Sequence, residues 1–150
     1  MKAVLQRVKR ASVSIENQIY SRIDNGILVL LGIMEEDDIS DIEWLANKIM
    51  NMRIFSDSEG KMNYSLMDVE GSLLVVSQFT LYGSTKKGNR PSFIKAAKPD
   101  TAIPLYDKFI EYCKDFSDIN IQTGSFGADM KLEILNDGPV TIIIDSKLKE

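Results

Sequence analysis

Apolar positions along the chain recur with two different periods. They alternate or run together over Lys2 to Lys9, Ala11 to Glu16, Ile27 to Ile33, Ser72 to Leu81, Met130 to Leu135 and Val140 to Ile144, and these segments predict β-strands. The run Ile27-Leu28-Val29-Leu30-Leu31 is apolar at every position, so it predicts a strand covered on both faces. Met130, Leu132 and Ile134 instead alternate with Lys131 and Glu133, which predicts a strand with one face in water. From Ile39 to Met52 the spacing changes to three and four, placing Ile39, Ile42, Leu45, Ala46, Ile49 and Met52 on one helical stripe, with Ser40 and Glu43 spaced as a capping box. A second helix is predicted from Asp100 or Thr101, with Pro104 in its first turn and Leu105, Phe109, Tyr112, Cys113 and Phe116 on one side. Strands outnumber helices and do not alternate with them regularly, which favours the α+β class over a doubly wound sheet.

The chain of 150 residues fits one domain, and it has no repeat, low-complexity tract or linker. No apolar run approaches the roughly 20 residues that span a bilayer, so no membrane is expected. The first residues alternate with polar ones and lack the apolar stretch of a secretory signal, which makes the cytoplasm the expected compartment. The lone cysteine, Cys113, precludes an internal disulfide framework and reads as a buried structural thiol rather than a nucleophile.

The absence of histidine changes the picture more. It excludes Ser-His-Asp and Cys-His catalysis and every zinc site that uses His. Carboxylates are available, but no cluster has the spacing of metal ligands, so neither metal nor cofactor is expected. The net charge of −4 is unevenly spread: Lys2, Arg7, Lys9 and Arg10, then Lys86, Lys87, Arg90, Lys95 and Lys98, fall in two segments without an acid, leaving −13 for the rest. Such segregation fits a phosphate-binding face and equally an ordinary solvated surface.

Three stretches carry candidate chemistry: Ser77-Gln78-Phe79-Thr80-Leu81, Lys87-Gly88-Asn89-Arg90-Pro91-Ser92-Phe93, and Asn136-Asp137-Gly138-Pro139-Val140-Thr141. In the first, a buried strand abruptly acquires hydrogen-bonding side chains, which serve either nearby backbone or a site. In the second, a glycine-containing loop with cations suits phosphates, or is an exposed turn. Together with Gly60-Lys61-Met62-Asn63 and Thr123-Gly124-Ser125-Phe126-Gly127-Ala128-Asp129-Met130, these stretches resemble, in order, the D-aminoacyl-tRNA deacylases.

That resemblance implies a homodimer built on a curved, mostly antiparallel, barrel-like sheet with two main helices packed against it. It implies hydrolysis of the ester between tRNA and a D-amino acid, and leaves open which D-amino acids matter and whether glycine is also released. Ser77, Gln78, Phe79 and Thr80 are implied to surround the scissile carbonyl, with backbone amides around Phe79 and Thr80 holding the oxyanion and the ribose 2′-hydroxyl assisting. Thr80 is a nucleophile by type, but no histidine can activate it. Phe126 and Met130 resemble positions near the adenine, although core packing also accounts for them. Lys86, Lys87 and Arg90 would contact tRNA. Gly138-Pro139 would have a cis peptide bond and enter the partner subunit's pocket as a chiral gate. Arg7 shares a strand face with Ala3 and Leu5, and the family's matching arginine orders this Gly-Pro element. The competing reading is a non-catalytic dimeric nucleic-acid-binding module of the same fold; a metal hydrolase is weaker.

Overall fold

The strand β1 (Lys2–Ile15) organises the molecule because it is long enough to be paired on both edges. In the computed structural model, which describes residues 1–116 and 118–150, one edge of β1 meets β3 (Gly26–Gly32) over Lys2 to Val8 and β2 (Gln18–Ile23) over Ala11 to Ile15. The other edge pairs antiparallel with β8 (Lys131–Asp145) along almost its whole length. Beyond β3 the sheet continues in parallel through β6 (Ser72–Ser77) to β7 (Ile121–Thr123). The Ser21 hydroxyl of β2 donates to the Thr123 carbonyl at 2.7 Å, bringing the first and last strands of that path together and nearly closing a barrel. The sheet is therefore mixed: antiparallel around β1, parallel where β3, β6 and β7 run side by side.

Two packed layers explain why β3 is apolar throughout. Ile27, Val29 and Leu31 join Leu73 and Val75 beneath the helices, while Leu28 joins Leu74, Val76, Val8, Ala11 and Val13 inside the curl of the sheet. Each such side chain contributes roughly 1.5–3 kcal/mol through burial, so both layers resist polar substitution. The helices α1 (Ile39–Asn51) and α2 (Pro99–Phe116) cover the outer layer with Ile42, Leu45, Ala46, Ile49, Tyr106, Phe109 and Cys113. Cys113 is fully buried, and burial pushes its thiol up to about 12, consistent with a structural role.

Several boundaries differ from the sequence expectation. The two predicted strands at Lys2 to Glu16 are one, as are the two at Met130 to Ile144, because irregular pairing bends them without ending them. The predicted strand Ser72 to Leu81 stops at Ser77 and turns into a short 3-10 helix, Phe79–Tyr82. Strand β2, the short strand β7 and the hairpin of β4 (Phe55–Ser56) and β5 (Met62–Tyr64) were not expected; they are short and polar or exposed, and so lack a clear period. The capping box of α1 lies two residues earlier than Ser40 and Glu43. Asp38 accepts from the Ser40 and Asp41 amides at 2.8 and 3.4 Å, and Asp41 accepts from the Asp38 amide at 2.9 Å. Helix α2 begins at Pro99, so Pro104 lies beyond its first turn; the chain uses Pro99 as the residue that needs no donor.

Candidate active site

The parallel strands β3, β6 and β7 end on the same side of the sheet, and a cavity of about 310 Å³ opens there. Ser77, Gln78 and Phe79 form one wall, and Phe126, Gly127, Ala128, Asp129 and Met130 form the opposite one. Leu31 and Val76 line it from the strands, Ile33 from just past β3 and Leu132 from β8; Ala97 lies just before α2 and Ala102 in its first turn. Of the residues expected near the substrate, Ser77, Gln78, Phe79, Phe126 and Met130 thus meet in one space, although they come from segments about 50 residues apart in sequence.

Local geometry follows from the abrupt end of β6. The Gln78 amide donates to the Leu31 carbonyl at 2.7 Å, the last rung of the parallel ladder, after which the chain tightens into the 3-10 turn. The first amides of such a turn, those of Phe79 and Thr80, have no partner within it, since its bonds start with Leu81 donating to Gln78 at 3.3 Å. The Gln78 side-chain amide donates to the Thr80 hydroxyl at 2.5 Å, which fixes both side chains. Thr80 itself does not line the cavity. The Phe79 ring is 56% exposed and meets Phe93 edge-on, with centroids 5.1 Å apart.

The opposite wall depends on Gly124, whose amide donates to the Val75 carbonyl at 2.9 Å. A β-carbon there would stand 2.7 Å from the Met130 sulfur, so the absence of a side chain lets Met130 turn in against the strand. Phe126 stacks edge-on with Tyr106, whose hydroxyl donates to the Val75 carbonyl at 2.8 Å. Both Phe126 and Met130 consequently serve packing and cavity at once. Among the described residues Asp129 is the sole ionisable side chain lining the cavity, and it points to solvent in an ion pair with Lys131 at 2.9 Å. Among the described residues no group of three His, Cys, Asp or Glu side chains is placed to hold a metal. Ala97, Ala102, Asp129 and Leu132 were not anticipated; only Asp129 fell within a distinctive stretch, and the alanines give no signal beyond being small.

Arg7, Gly138 and Pro139 lie elsewhere. Gln6 pairs with Thr141 and Val8 with Asn136, so the four residues Asp137 to Val140 loop out of β8 opposite the single residue Arg7. Arg7 is 8% exposed, as its apolar strand face required, and is neutralised inside: Nη1 donates to the Ile54 carbonyl at 2.6 Å, and Nε donates to the Asp137 carbonyl at 3.2 Å and pairs with the Asp137 carboxylate at 3.3 Å. The Gly138–Pro139 peptide bond is cis, both residues are exposed, and neither lines the cavity of its own chain. Lys86, Lys87 and Arg90 are exposed on the loop after the 3-10 helix, and Lys86 borders a second depression beside the cavity.

A mixed, nearly closed barrel with a histidine-free cavity at the ends of its parallel strands defines a class whose relatives can be named. The family model for D-Tyr-tRNA(Tyr) deacylase matches residues 4–145, and the chain belongs to that family. It is 63% identical over 147 residues to a D-aminoacyl-tRNA deacylase of Fusobacterium nucleatum, covering 98% of this chain and 97% of the relative. A D-aminoacyl-tRNA deacylase of Parabacteroides distasonis is 59% identical over the full length of both chains. Among solved structures, a c-Myc DNA unwinding element binding protein superposes with a TM-score of 0.91 at 44% identity, over 97% of this chain and 98% of the other. A probable eukaryotic D-amino acid tRNA deacylase has the same fold, with a TM-score of 0.80 at 20% identity, over 95% of this chain and 97% of the other. Among the described residues no helix is long and apolar enough to cross a membrane.

Proposed function

We propose that this protein hydrolyses the ester joining a D-amino acid to the 3′ end of tRNA, releasing free tRNA and the D-amino acid, in the cytoplasm and without metal or cofactor. The observation that carries this reading is a cavity of family-matched residues, free of histidine and lysine among the described residues, with the start of a 3-10 turn at its wall whose Phe79 and Thr80 amides have no partner within the turn. Water attacks the ester carbonyl carbon, the oxyanion is held by those two amides, and collapse of the tetrahedral species expels the ribose 3′-oxygen, with the neighbouring 2′-hydroxyl assisting proton transfer. Ser77 and Gln78 orient the ester, and Phe126 and Met130 receive the terminal adenine. Lys86, Lys87 and Arg90 meet the tRNA backbone.

Chirality is read in a homodimer. Gly138 and Pro139 are exposed and do not line the candidate active-site cavity of their own chain, which supports their insertion into that cavity of a partner. There its main chain meets the substrate's α-carbon, an L side chain collides with it, and a D side chain points away. Arg7 holds the loop through Asp137.

The competing reading is a dimeric nucleic-acid-binding module of the same fold without catalysis, and a c-Myc DNA unwinding element binding protein shares this fold. Incubation with D-tyrosyl-tRNA and L-tyrosyl-tRNA separates the two. Release of D-tyrosine alone is the expected result; retention of both esters by protein that still binds tRNA would establish the module instead.

A further inference from the structure

The 3-10 helix Phe79–Tyr82 has a depression on each side. On the side away from the cavity, Lys2, Ser84, Thr85, Lys86 and Lys95 surround a space of about 420 Å³ floored by Leu81, Tyr82 and Gly83. Among the described residues no acidic side chain lines it. Lys2 reaches in from β1, 5.3 Å from the centre of the Tyr82 ring, and its nearest acid, Asp145, stands 3.8 Å away. Lys86 and Lys95 form no ion pair among the described residues. Lys2 is thus paired internally while Lys86 and Lys95 are not, and this surplus of positive charge attracts an anion from outside.

These lysines stand on a fixed frame. Ser84 and Ser92 exchange two backbone hydrogen bonds of 2.9 Å across the loop, and the Ala97 amide donates to the Ile33 carbonyl at 2.9 Å where the loop rejoins the body. The contact of Phe93 with Phe79 ties the same loop to the wall of the cavity. A 3-10 helix rises about 2 Å per residue, so Gly83 lies roughly 8 Å beyond Phe79. That distance matches about two nucleotides of a strand stacked at about 3.4 Å each. Lysine heads are point charges that neutralise a phosphodiester without demanding the two-pronged geometry of an arginine fork, and the Ser84 and Thr85 hydroxyls add donors for its oxygens.

We infer that this depression is a phosphodiester subsite: the 3′-terminal strand of the tRNA leaves the cavity across the 3-10 helix, and Lys2, Lys86 and Lys95 neutralise the backbone just upstream of the terminal nucleoside. Lys87 and Arg90 border neither depression and contribute less. The inference rests on the deacylase reading above. It is tested with two substrates, D-tyrosyl-tRNA and the D-tyrosyl ester of adenosine, which has no phosphate. In Lys2→Gln/Lys95→Gln, and in Lys95→Gln alone should the double variant fold poorly, KM for the tRNA ester rises about tenfold more than KM for the adenosine ester, and the salt dependence of tRNA binding loses about 0.7 of a unit of log–log slope for each lysine removed. Lys95→Arg restores both. Equal losses on the two substrates, or an unchanged KM and salt slope with tRNA, would overturn the subsite. Failure of the deacylase reading looks different, because the wild-type protein would then cleave neither ester.

Discussion

The guanidinium of Arg7 occupies the space that a side chain at Gly138 would need. A β-carbon on Gly138 would stand 3.0 Å from Arg7 Nη2 and 2.8 Å from Val140 Cγ2, on a backbone whose φ of +122° L residues rarely adopt. Gly138→Ala therefore costs about 1–3 kcal/mol. Arg7→Ala removes the two donors that fix Asp137 and Ile54 and costs a similar amount. Both are measured by urea denaturation. In kinetics, both variants should lose discrimination between D- and L-tyrosyl-tRNA, and unaltered discrimination in either would detach this loop from chirality.

Gly124→Ala tests the opposite wall. The added methyl meets the Met130 sulfur, and an unbranched methionine side chain can change rotamer, so stability should change by less than about 1 kcal/mol while the thioether is displaced toward the cavity. The expected signature is a raised KM at nearly unchanged melting temperature. Equal KM values for the variant and the parent would show that Met130 does not bound the substrate.

Thr80→Ala should retain activity within about tenfold of the parent, because the reaction is assigned to amide donors and not to a hydroxyl nucleophile. The residual loss reflects the freed Gln78 side chain, which now bonds the Thr80 hydroxyl. Mass spectrometry of quenched reactions offers the contrary result, an acyl group on Thr80.

Exhaustive chelation should leave hydrolysis intact, since the chain has no histidine and its described acids and cysteine form no ligand cluster. Activity abolished by chelator and restored by zinc would defeat this.

Stability should fall in acid through Asp41. Burial alone would raise its pKa, but hydrogen bonds from Lys147, Ser146 and the Asp38 amide outweigh that and hold it at about 2, below the usual 3.8. The folded value is the lower one, so the contribution, about 2 kcal/mol, is complete above pH 4 and is lost as pH falls from 4 toward 2. Asp41→Asn should flatten that part of the denaturation profile; a profile identical to that of the parent would reassign the acid sensitivity.

What was legible in the sequence depended on period and residue type. The unbroken apolar run of β3 announced a strand between two layers, and the stripe from Ile42 to Ile49 announced a helix on one of them. The burial of Arg7 followed from its strand parity with Ala3 and Leu5, while its partner Ile54 could not, because a backbone carbonyl leaves no mark on residue type. The turn after Ser77 was missed since Phe79, Leu81 and Tyr82 read as more strand; what ends the strand is tertiary, the last rung being the bond from Gln78 to Leu31. Motif resemblance singled out Phe126 and Met130, yet their meeting with Ser77 depends on β7 joining β6 in parallel, a pairing of three residues too short to read.

The cavity lies across the seam between the two packed layers: Leu31 and Phe126 belong to the layer under the helices, and Val76, Met130 and Leu132 to the layer inside the curl. Its width is therefore the distance between two independently filled interiors, and a change of volume in either one moves a wall. A drift such as Leu28 to valine, remote from any reacting atom, reaches the substrate as surely as a change at Met130, so permissible sequence variation in the interior is set by the reaction as well as by folding.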